Sequence, residues 1–429
     1  MQLFEKLIDH PEAERLVLKN TPRLPVAWTP LEEAQGLALA EDVRAKFDSP
    51  PFDSSAVDGY AVRSVDTEVG RIFPVVDEAP AGRPAQKEVG EGEAIKIFTG
   101  GVIPEGADAT VMVENTSGWG AEFELKKAAS PGQNVRRAGE DVQKGEVILR
   151  AGIEIGPPEI ALAATQGYGE LPVYRKPKVA IFSTGSELVE PGARELSPGE
   201  IYDSNSFALL AQAREAGADV HRIAATTDDA DALHAAMEEA LSSADVVVTS
   251  GGVSVGEKDL VKSTLLELGV NQVFWGVKLK PGKPVFFGTR EDALLFGLPG
   301  NPVSAMICFE LFVRPAIMRM TGREDKHRAR AEVYFDEDVE NRFGRMHAMR
   351  VNLEWTEKGW KAESVGAQGS GLVSSLTKAD ALALIGPESE GVRAGEPVEA
   401  IVLREEVIIR PVSKGSEMPI SGGADEPKC

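Results

Sequence analysis

Asp245 to Lys262 reads Asp-Val-Val-Val-Thr-Ser-Gly-Gly-Val-Ser-Val-Gly-Glu-Lys-Asp-Leu-Val-Lys. An apolar run breaks at paired glycines and then resumes as a helical pattern, so the sequence predicts a buried strand that opens into a ligand loop. Gly251 and Gly252 allow a sharp turn and present N–H groups without a Cβ atom in the way. Asp259, just inside the helix, adds a carboxylate, and an anion beside a carboxylate indicates a bridging cation. The alternative is a tight connection without a ligand.

The segments around this loop predict a parallel sheet with helices on both faces. Beyond Lys178, strands alternate with helices, as is typical of a doubly wound α/β domain. The predicted strands are Val179–Ser183, Asp219–Ala225 and Val246–Thr249, and the predicted helices are Ser204–Ala216, Asp228–Ser242, Lys258–Leu268 and Pro302–Met320. Ligands bind beyond the carboxyl ends of such strands, where we expect three loops to converge: Thr184–Glu187, Thr226–Asp228 and Ser250–Gly252.

The flanking regions predict further, smaller domains. Short β-type runs between Val75 and Lys127 predict a small β domain, and alternating runs after Arg330 predict a small β barrel. The spacing of leucines and alanines predicts a helix over Leu31–Ala45. A strand at Gly145–Arg150 and a helix at Pro157–Gln166 are also expected.

Composition excludes several functional classes. The 429 residues include 68 acidic and 46 basic side chains, and the net charge of −22 opposes non-specific binding to nucleic acid or to an anionic membrane. Two cysteines and five scattered histidines support neither a disulfide framework nor a zinc site. The start of the chain lacks a secretory signal pattern, and no apolar stretch approaches the ~20 residues of a membrane span. We therefore expect a cytoplasmic protein.

Three motifs in the first part of the chain combine acids or bases with turn residues. Asp53–Val62 places acids and hydroxyls before an apolar strand, Phe98–Gly101 runs a strand into a glycine pair, and Val135–Asp141 joins two arginines to acids. Each has an ordinary structural explanation, either a turn or a solvated ion pair. None is decisive alone.

Two later motifs point to an anion. Lys278–Pro284 is a basic, rigid turn in an acidic protein, suited to hold an oxyanion. Leu298–Ala305 is a stiff loop that enters a helix, whose free N–H groups attract anions. A solubilising loop and a proline-shaped turn are the alternatives. Taken together, the carboxylates, lysines and helix N-termini predict a pocket for a metal-bridged phosphate ester.

With these residues assembled, the chain resembles the molybdopterin molybdenumtransferase family, which includes MoeA and the E domain of gephyrin. The likeness runs from Leu31 to about Leu403. Its motifs are Ser55–Ala61, Phe98–Gly101, Arg137–Asp141, Ser183–Leu188, Thr249–Ser254, Lys280–Pro284 and Leu298–Ser304. The resemblance implies an enzyme that takes adenylylated molybdopterin and molybdate and, with Mg²⁺, inserts the metal and releases AMP.

The resemblance also implies an architecture and partners. The α/β domain is similar to MogA. The implied domains are an elongated N-terminal dimerisation domain (1–49 and 141–175), a small β domain (50–140), the α/β molybdopterin-binding domain (176–325) and a C-terminal β barrel (326–411). Beyond Pro411, the polar, Gly/Ser-rich composition itself predicts a disordered tail (412–429). The implied assembly is a homodimer with a cleft between subunits. Molybdopterin adenylyltransferase and apo molybdoenzymes are implied partners, with no nucleic acid or membrane.

By the same resemblance, the site residues fall into three groups. The implied catalytic residues are Asp58, Thr99, Asp141, Glu187, Asp228 and Asp259, of which Glu187, Asp228 and Asp259 are the implied metal ligands. Lys280 and Lys283 are implied to attract molybdate. The other implied substrate-binding residues are Arg136, Ser183, Thr184, Gly185, Ser250, Gly251, Gly252, Val253, Ser254, Lys278, Pro299, Gly300, Asn301, Pro302, Ser304, Arg350 and Ser370. The last two match positions that face the partner's cleft.

One position departs from the family pattern. Many relatives carry a lysine soon after the position of Trp275, where this chain has Gly276. We hypothesise that Lys278 substitutes for it. Two other functions remain open: a molybdopterin adenylyltransferase, which resembles Lys178–Met320 alone, and a non-catalytic scaffold, which would tolerate loss of the acids. Clustered carboxylates repel one another and serve no packing purpose, so their presence favours catalysis.

Overall fold

In the computed structural model the chain forms two compact units, one of Met1–Ala27 with Tyr174–Cys429 and one of Trp28–Val173. The structure describes residues 7–224, 230–252, 260–323, 328–341, 344–387, 390–404 and 406–407. The predicted disordered tail lies outside these residues, and the four-domain bounds stay a prediction. Within the described ranges, no helix is long and apolar enough to cross a membrane.

The first unit contains a six-stranded sheet with a parallel core. In order across the sheet, the strands are Asp219–Arg222, Lys178–Ser183, Val246–Ser250, Ala293–Leu298, Phe286–Arg290 and Asn271–Trp275. The first four run parallel, which confirms the predicted α/β arrangement. The last two are antiparallel and were not predicted. The strands Phe286–Arg290 and Ala293–Leu298 form a tight hairpin, and Glu291 in its two-residue turn has a φ of 52°.

Helices cover both faces of this sheet, because successive strand residues point to opposite sides. Val179 and Ile181 pack into one layer, while Ala180 and Phe182 pack into the other. The first layer contains His10–Asn20, Asn205–Glu215, Pro302–Cys308 and Arg314–Met320, and the second contains Ala230–Ser243 and Leu260–Glu267. The predicted long helix thus exists, with a π-helical turn at Phe309–Val313. The helix His10–Asn20 was not predicted.

The predicted barrel is confirmed at the C-terminal end of this unit. Its strands are Met346–Thr356, Gly359–Ser364, Arg330–Tyr334, Pro397–Val402 and Ala381–Ile385. The long strand Met346–Thr356 pairs with both Gly359–Ser364 and Ala381–Ile385, which closes the ring. A short strand, Leu279–Lys280, runs parallel to its start. Smaller elements are the pairs Leu188–Val189 with Ile201–Tyr202 and Val339–Glu340 with Gly391–Val392, and the 3₁₀ turn Val373–Ser375.

The second unit has a five-stranded sheet, as predicted for the small β domain. In order, its strands are Ala109–Met112, Gly59–Val62, Ala94–Ile97, Ile72–Ala79 and Glu122–Glu124. The other elements are the strand pairs Ser54–Ser55 with Val135–Arg136, Val43–Arg44 with Val147–Leu149, and Val26–Pro30 with Glu170–Tyr174, the helix Pro157–Thr165, and the 3₁₀ turns Ser64–Asp66 and Val113–Asn115.

The predicted helix over Leu31–Ala45 is wrong. The segment consists of turns, isolated bridges and the short strand Val43–Arg44. Its backbone N–H groups donate to distant carbonyls instead, as Leu39 does to Ile153 at 2.9 Å. Gly36, at a φ of 75°, breaks the helical geometry. The leucines that suggested a helix are spaced to fill a small core with Leu149 and other side chains of this unit.

Candidate functional site

A cavity of about 550 Å³ opens at the carboxyl ends of the parallel strands. It is lined by Ser183, Thr184, Gly185, Glu187, Leu188, Ile201, Tyr202, Asp203, Ser204, Asn205, Ser250, Gly251, Gly252, Pro284, Pro299, Gly300, Asn301 and Pro302. Two of the three loops expected here, Thr184–Glu187 and Ser250–Gly252, therefore converge. The third, Thr226–Asp228, lies outside the described residues, as do Val253, Ser254 and Asp259.

Backbone hydrogen bonds hold the cavity loops together. The N–H of Thr184 donates to the Ser250 carbonyl at 2.9 Å, and the N–H of Gly251 donates to the Leu298 carbonyl at 3.1 Å. Gly251 has a φ of 92°, and a Cβ atom there would lie 2.5 Å from the Thr184 carbonyl oxygen. At Gly252, a Cβ atom would meet a Val261 methyl group at 2.3 Å. The predicted need for two glycines is thus steric as well as conformational.

The cavity offers polar groups to a ligand. The hydroxyl of Thr184 is buried and has no hydrogen-bond partner in the described part of the chain. The Glu187 carboxylate lies over Gly185, 2.6 Å from where a Cβ atom of that glycine would be. Glu187 is exposed, so it remains accessible to a cation. Among the described residues, no group of three or more His, Cys, Asp or Glu side chains could hold a metal ion.

Among the cavity residues that the sequence analysis did not propose as site residues, Asp203 and Asn205 hold the loops in place. Asp203, 1% exposed, accepts hydrogen bonds from the hydroxyls of Ser183 at 2.9 Å and Ser206 at 2.5 Å. Nδ2 of Asn205 donates to Ser250 Oγ and to the Gly300 carbonyl, each at 2.8 Å. The available signal was the run Asp203-Ser204-Asn205 at the start of a helix, since such residues favour helix N-termini.

A second cavity, of about 290 Å³, adjoins the first. It is lined by Leu279, Lys280, Pro281, Gly282, Lys283, Pro284, Pro299, Asn301, Ser304, Arg345, Gln368 and Ser370, and Pro284, Pro299 and Asn301 line both cavities. The predicted basic turn therefore lies beside the strand-end loops, and the barrel adds Arg345 to its lysines. Burial, and then the nearby Arg345 charge, lower the pKa of Lys280. We call this second space the basic cavity.

Arg350 stands behind the basic cavity and supports its wall. Its side chain is 0% exposed, and its Nε and Nη1 donate to Gln368 Oε1 and to the Gly369 carbonyl, both at 3.0 Å. Nη1 also donates to Ser375 Oγ at 2.9 Å. The carbonyl of Ser370 accepts from the N–H of Val303 at 3.1 Å, which ties the barrel loop to the helix after the first cavity. Ser370 thus lines the basic cavity directly, while Arg350 orients its loop.

Lys278 has a different environment from Lys280. Its Nζ lies 3.0 Å from Asp9 Oδ1, and its N–H donates to the Ile8 carbonyl at 2.8 Å. It is absent from the residues that line the two cavities. The hypothesis that Lys278 replaces the family lysine stays untested.

The second unit holds the remaining predicted residues. Thr99 donates to Asp58 Oδ1 from its N–H at 2.7 Å and from its hydroxyl at 2.8 Å, and these bonds, the N–H first, lower the pKa of the exposed carboxyl. Gly59 is required beside it, because a Cβ atom would lie 1.9 Å from the Val111 carbonyl oxygen. Arg136 and Asp141 are both exposed.

Arg137, next to Arg136, has the ordinary structural role considered from the sequence, a solvated ion pair. Its guanidinium forms an exposed ion pair with Asp53, at 2.5 Å. The N–H of Ala138 also donates to Asp53, at 2.8 Å, so this aspartate organises a turn. The solvated ion pair considered from the sequence therefore exists, and Arg137 is occupied by it.

Comparison with known proteins agrees with this arrangement. Family models match at residues 8–167 (MoeA N-terminal region, domain I and II), 180–319 (probable molybdopterin binding domain) and 332–403 (MoeA C-terminal region, domain IV). The chain is 38% identical over 421 residues to the molybdopterin molybdenumtransferase of Bacillus subtilis, covering 96% of each chain. It is 40% identical to that of Haemophilus influenzae, covering 86% of this chain and 91% of the relative.

Solved structures give the same result. The molybdopterin biosynthesis MoeA protein of Pyrococcus horikoshii superposes with a TM-score of 0.81 at 34% identity, and the match covers 92% of this chain and 99% of that one. The likeness therefore extends over both units as well as over the sequence motifs. The chain belongs to the molybdopterin molybdenumtransferase family.

Proposed function

We propose that this protein is a molybdopterin molybdenumtransferase that takes molybdate and adenylylated molybdopterin and releases AMP. The observation that carries the proposal is the basic cavity, which lies beside the first cavity in a chain of net charge −22. Relatives that match almost the whole chain bear that enzyme's name. A dianion needs local cations to approach such a protein. Lysines and an arginine at one end of a pterin-sized cavity supply them.

The larger cavity is the proposed site of the pterin and its phosphate. Its volume of about 550 Å³ lies within the usual range for small-molecule sites. The glycine turn at Gly251 and Gly252 lets a ligand approach the backbone closely, as anion-binding turns do. The hydroxyl of Thr184 is available as a buried hydrogen-bonding group. Binding there would direct the dithiolene of the pterin toward the basic cavity.

The basic cavity is the proposed molybdate site. Lys280 and Lys283 would attract the oxyanion, and Ser370 would fix its orientation with a hydroxyl. When two thiol groups replace two oxo ligands of molybdate, two hydroxides are released, and two protons from solvent convert them to water. Hydrolysis of the phosphoanhydride separately transfers the elements of water and yields AMP and the pterin phosphate. The protein's part is to hold both reactants together.

We further propose that the reaction depends on Mg²⁺. Carboxylate oxygens are the ligands this cation prefers, and exposed Glu187 offers them at the mouth of the first cavity. Asp228 and Asp259 are proposed to complete the set. Bound Mg²⁺ would neutralise charge on the phosphoanhydride. Asp58, with Thr99 fixing its carboxylate, and Asp141 are proposed as the acids of the small β domain.

The proposed assembly and setting follow from the family. We propose a homodimer that works in the cytoplasm, receives its pterin from a molybdopterin adenylyltransferase and passes the cofactor to apo molybdoenzymes. Neither nucleic acid nor a membrane is a proposed partner. An adenylyltransferase is disfavoured as the function, because family matches lie on both sides of the molybdopterin-binding region. The second candidate function is a non-catalytic scaffold, and it would be favoured if the purified protein released no AMP.

The test is AMP release from adenylylated molybdopterin, with molybdate and Mg²⁺ added singly and together, followed by activation of an apo molybdoenzyme. We expect release to need both ions and to yield active enzyme. Lys280→Ala should lower the response to molybdate, and the exposed Lys19→Ala serves as a matched control. Tight binding of the pterin without release under any condition would refute the transferase and favour the scaffold.

A further inference from the structure

A buried histidine is the strand neighbour of Lys280, which lines the basic cavity, and it has no role in the site so far described. His347 pairs with Lys280 in the parallel register of Met346–Thr356 and Leu279–Lys280. Parallel neighbours present their side chains on the same side of a sheet. His347 is 5% exposed, and neither ring nitrogen has a hydrogen-bond partner in the part of the chain that the structure describes. An imidazole with both nitrogens unsatisfied is unusual in a protein interior.

Within the part of the chain that the structure describes, the charged groups that lower the pKa of this imidazole are two cations. Lys280 acts from the adjoining strand and Arg350 from the same strand, while the neighbour across the other strand pair is apolar Ile385. Burial first, then Lys280 and Arg350, lower the pKa of His347 to about 4. The imidazole is therefore neutral near neutral pH.

Arg350 also lacks its usual partner. Its hydrogen bonds go to the neutral acceptors Gln368, Gly369 and Ser375, and its Nη2 atom has none among the described residues. Burying a guanidinium without a carboxylate costs several kcal/mol. A nearby anion would recover part of that cost. Among the described hydrogen bonds of Arg350 none goes to a carboxylate, so this part of the cavity wall favours an anion.

We propose that His347 takes up a proton from solvent when molybdate enters the basic cavity, so that oxyanion binding and protonation are coupled. This inference rests on the proposed function, because molybdate is its ligand. A dianion beside Lys280 offsets the repulsion from Lys280 and Arg350 and attracts the imidazolium, which stabilises it against the cost of burial. The protonated ring is then a cation with two N–H donors, and the negative charge of bound molybdate favours it. His347 acts through the field of the site and is a positioning residue.

The size of the coupling follows from proton linkage. If bound molybdate returns the pKa of His347 from about 4 to the ordinary value of about 6.5, affinity at about pH 6 rises roughly fourfold over that at about pH 8. The sign is fixed: a pKa raised by the ligand strengthens binding as the pH falls. At the higher pH, His347 is neutral in both states and contributes no coupling.

The experiment is calorimetric titration of the full chain with molybdate in two buffers of different ionisation enthalpy, at about pH 6 and about pH 8. We expect proton uptake at the lower pH only. His347→Gln should abolish the uptake and the pH dependence. His234→Gln removes an exposed histidine on the helix Ala230–Ser243, and should keep both.

A spectroscopic measurement avoids reliance on a buried substitution. Long-range ¹H–¹⁵N spectra of the unaltered protein report the protonation of each histidine ring, and one ring should change state when molybdate is added at the lower pH. Binding without proton uptake, or without a change in that ring, would overturn this inference alone. Absence of molybdate binding at both pH values would overturn the proposed function together with it.

Discussion

Asn205→Ala should weaken pterin binding, because this side chain ties together the loops around the first cavity. Nδ2 of Asn205 donates 2.8 Å hydrogen bonds to Ser250 Oγ and to the Gly300 carbonyl, and alanine removes both. At about 1 kcal/mol for each bond, the loss is about 2 kcal/mol. If all of it appears in binding, at about 1.4 kcal/mol for each factor of ten, the Kd for molybdopterin rises about 30-fold.

The assay is fluorescence titration of the purified variant with molybdopterin. Asn20→Ala is the matched control, because it removes one exposed 2.8 Å bond from Asn20 Nδ2 to the Leu16 carbonyl at the end of the helix His10–Asn20. That variant should bind as the wild type does. Thermal unfolding of each variant would show whether the effect is local to the cavity.

A double-mutant cycle with Ser250→Ala distinguishes the loss of the Asn205–Ser250 hydrogen bond from general damage to the cavity. Since Ser250 Oγ accepts one of the two bonds from Asn205, the second substitution should cost less in the presence of the first. A Kd for Asn205→Ala within about twofold of the wild type, or full additivity with Ser250→Ala, would refute the reasoning.

Three further substitutions test other parts of the site. Gly251→Ala should lower the free energy of unfolding in urea by about 2 to 4 kcal/mol, since it forces an L-residue into a φ of 92° and a Cβ atom against a carbonyl oxygen. Asp58→Asn should sharply reduce AMP release with little change in Tm, because an amide oxygen still accepts both hydrogen bonds but carries no charge; a large fall in Tm would indicate a structural role. Lys280→Ala should weaken molybdate binding while Lys278→Ala leaves it unchanged, because Lys280 lines the basic cavity and Lys278 does not; the reverse result would support Lys278 as the substitute lysine.

The parts of the fold that could be predicted are those in which the signal is local. The strand Val246–Ser250 is buried throughout and begins with three valines because both of its faces are covered, and the glycines after it mark the turn. The helical spacing at Leu31–Ala45 was misleading, because the same side chains pack equally well from turns when their hydrogen bonds go to distant strands. Local periodicity cannot report partners that lie far along the chain.

The site residues that were missed depend on long-range contacts. Asn205 reaches Ser250 and Gly300, which are 45 and 95 residues further along the chain. Nothing in the sequence next to Asn205 indicates either partner. Arg350 is similar, because closure of the barrel buries it behind the Gln368 loop, and arginine is seldom fully buried. The family resemblance could identify Arg350 as a site residue, but only the packing shows that it holds the Gln368 loop beside the basic cavity.

The net charge of −22 sets a final expectation for how molybdate reaches its site. The field of the whole protein repels a dianion at long range, while Lys280 and its neighbours attract it only within the basic cavity. Added salt screens the distant charges more than the partly buried ones, since the Debye length falls from about 30 Å at 0.01 M to about 8 Å at 0.15 M. The association rate of molybdate, measured by stopped flow in a salt of a weakly binding anion, should therefore rise over this range. A rate that falls would mean that local cations already dominate the approach path, and that the acidic surface lies away from it.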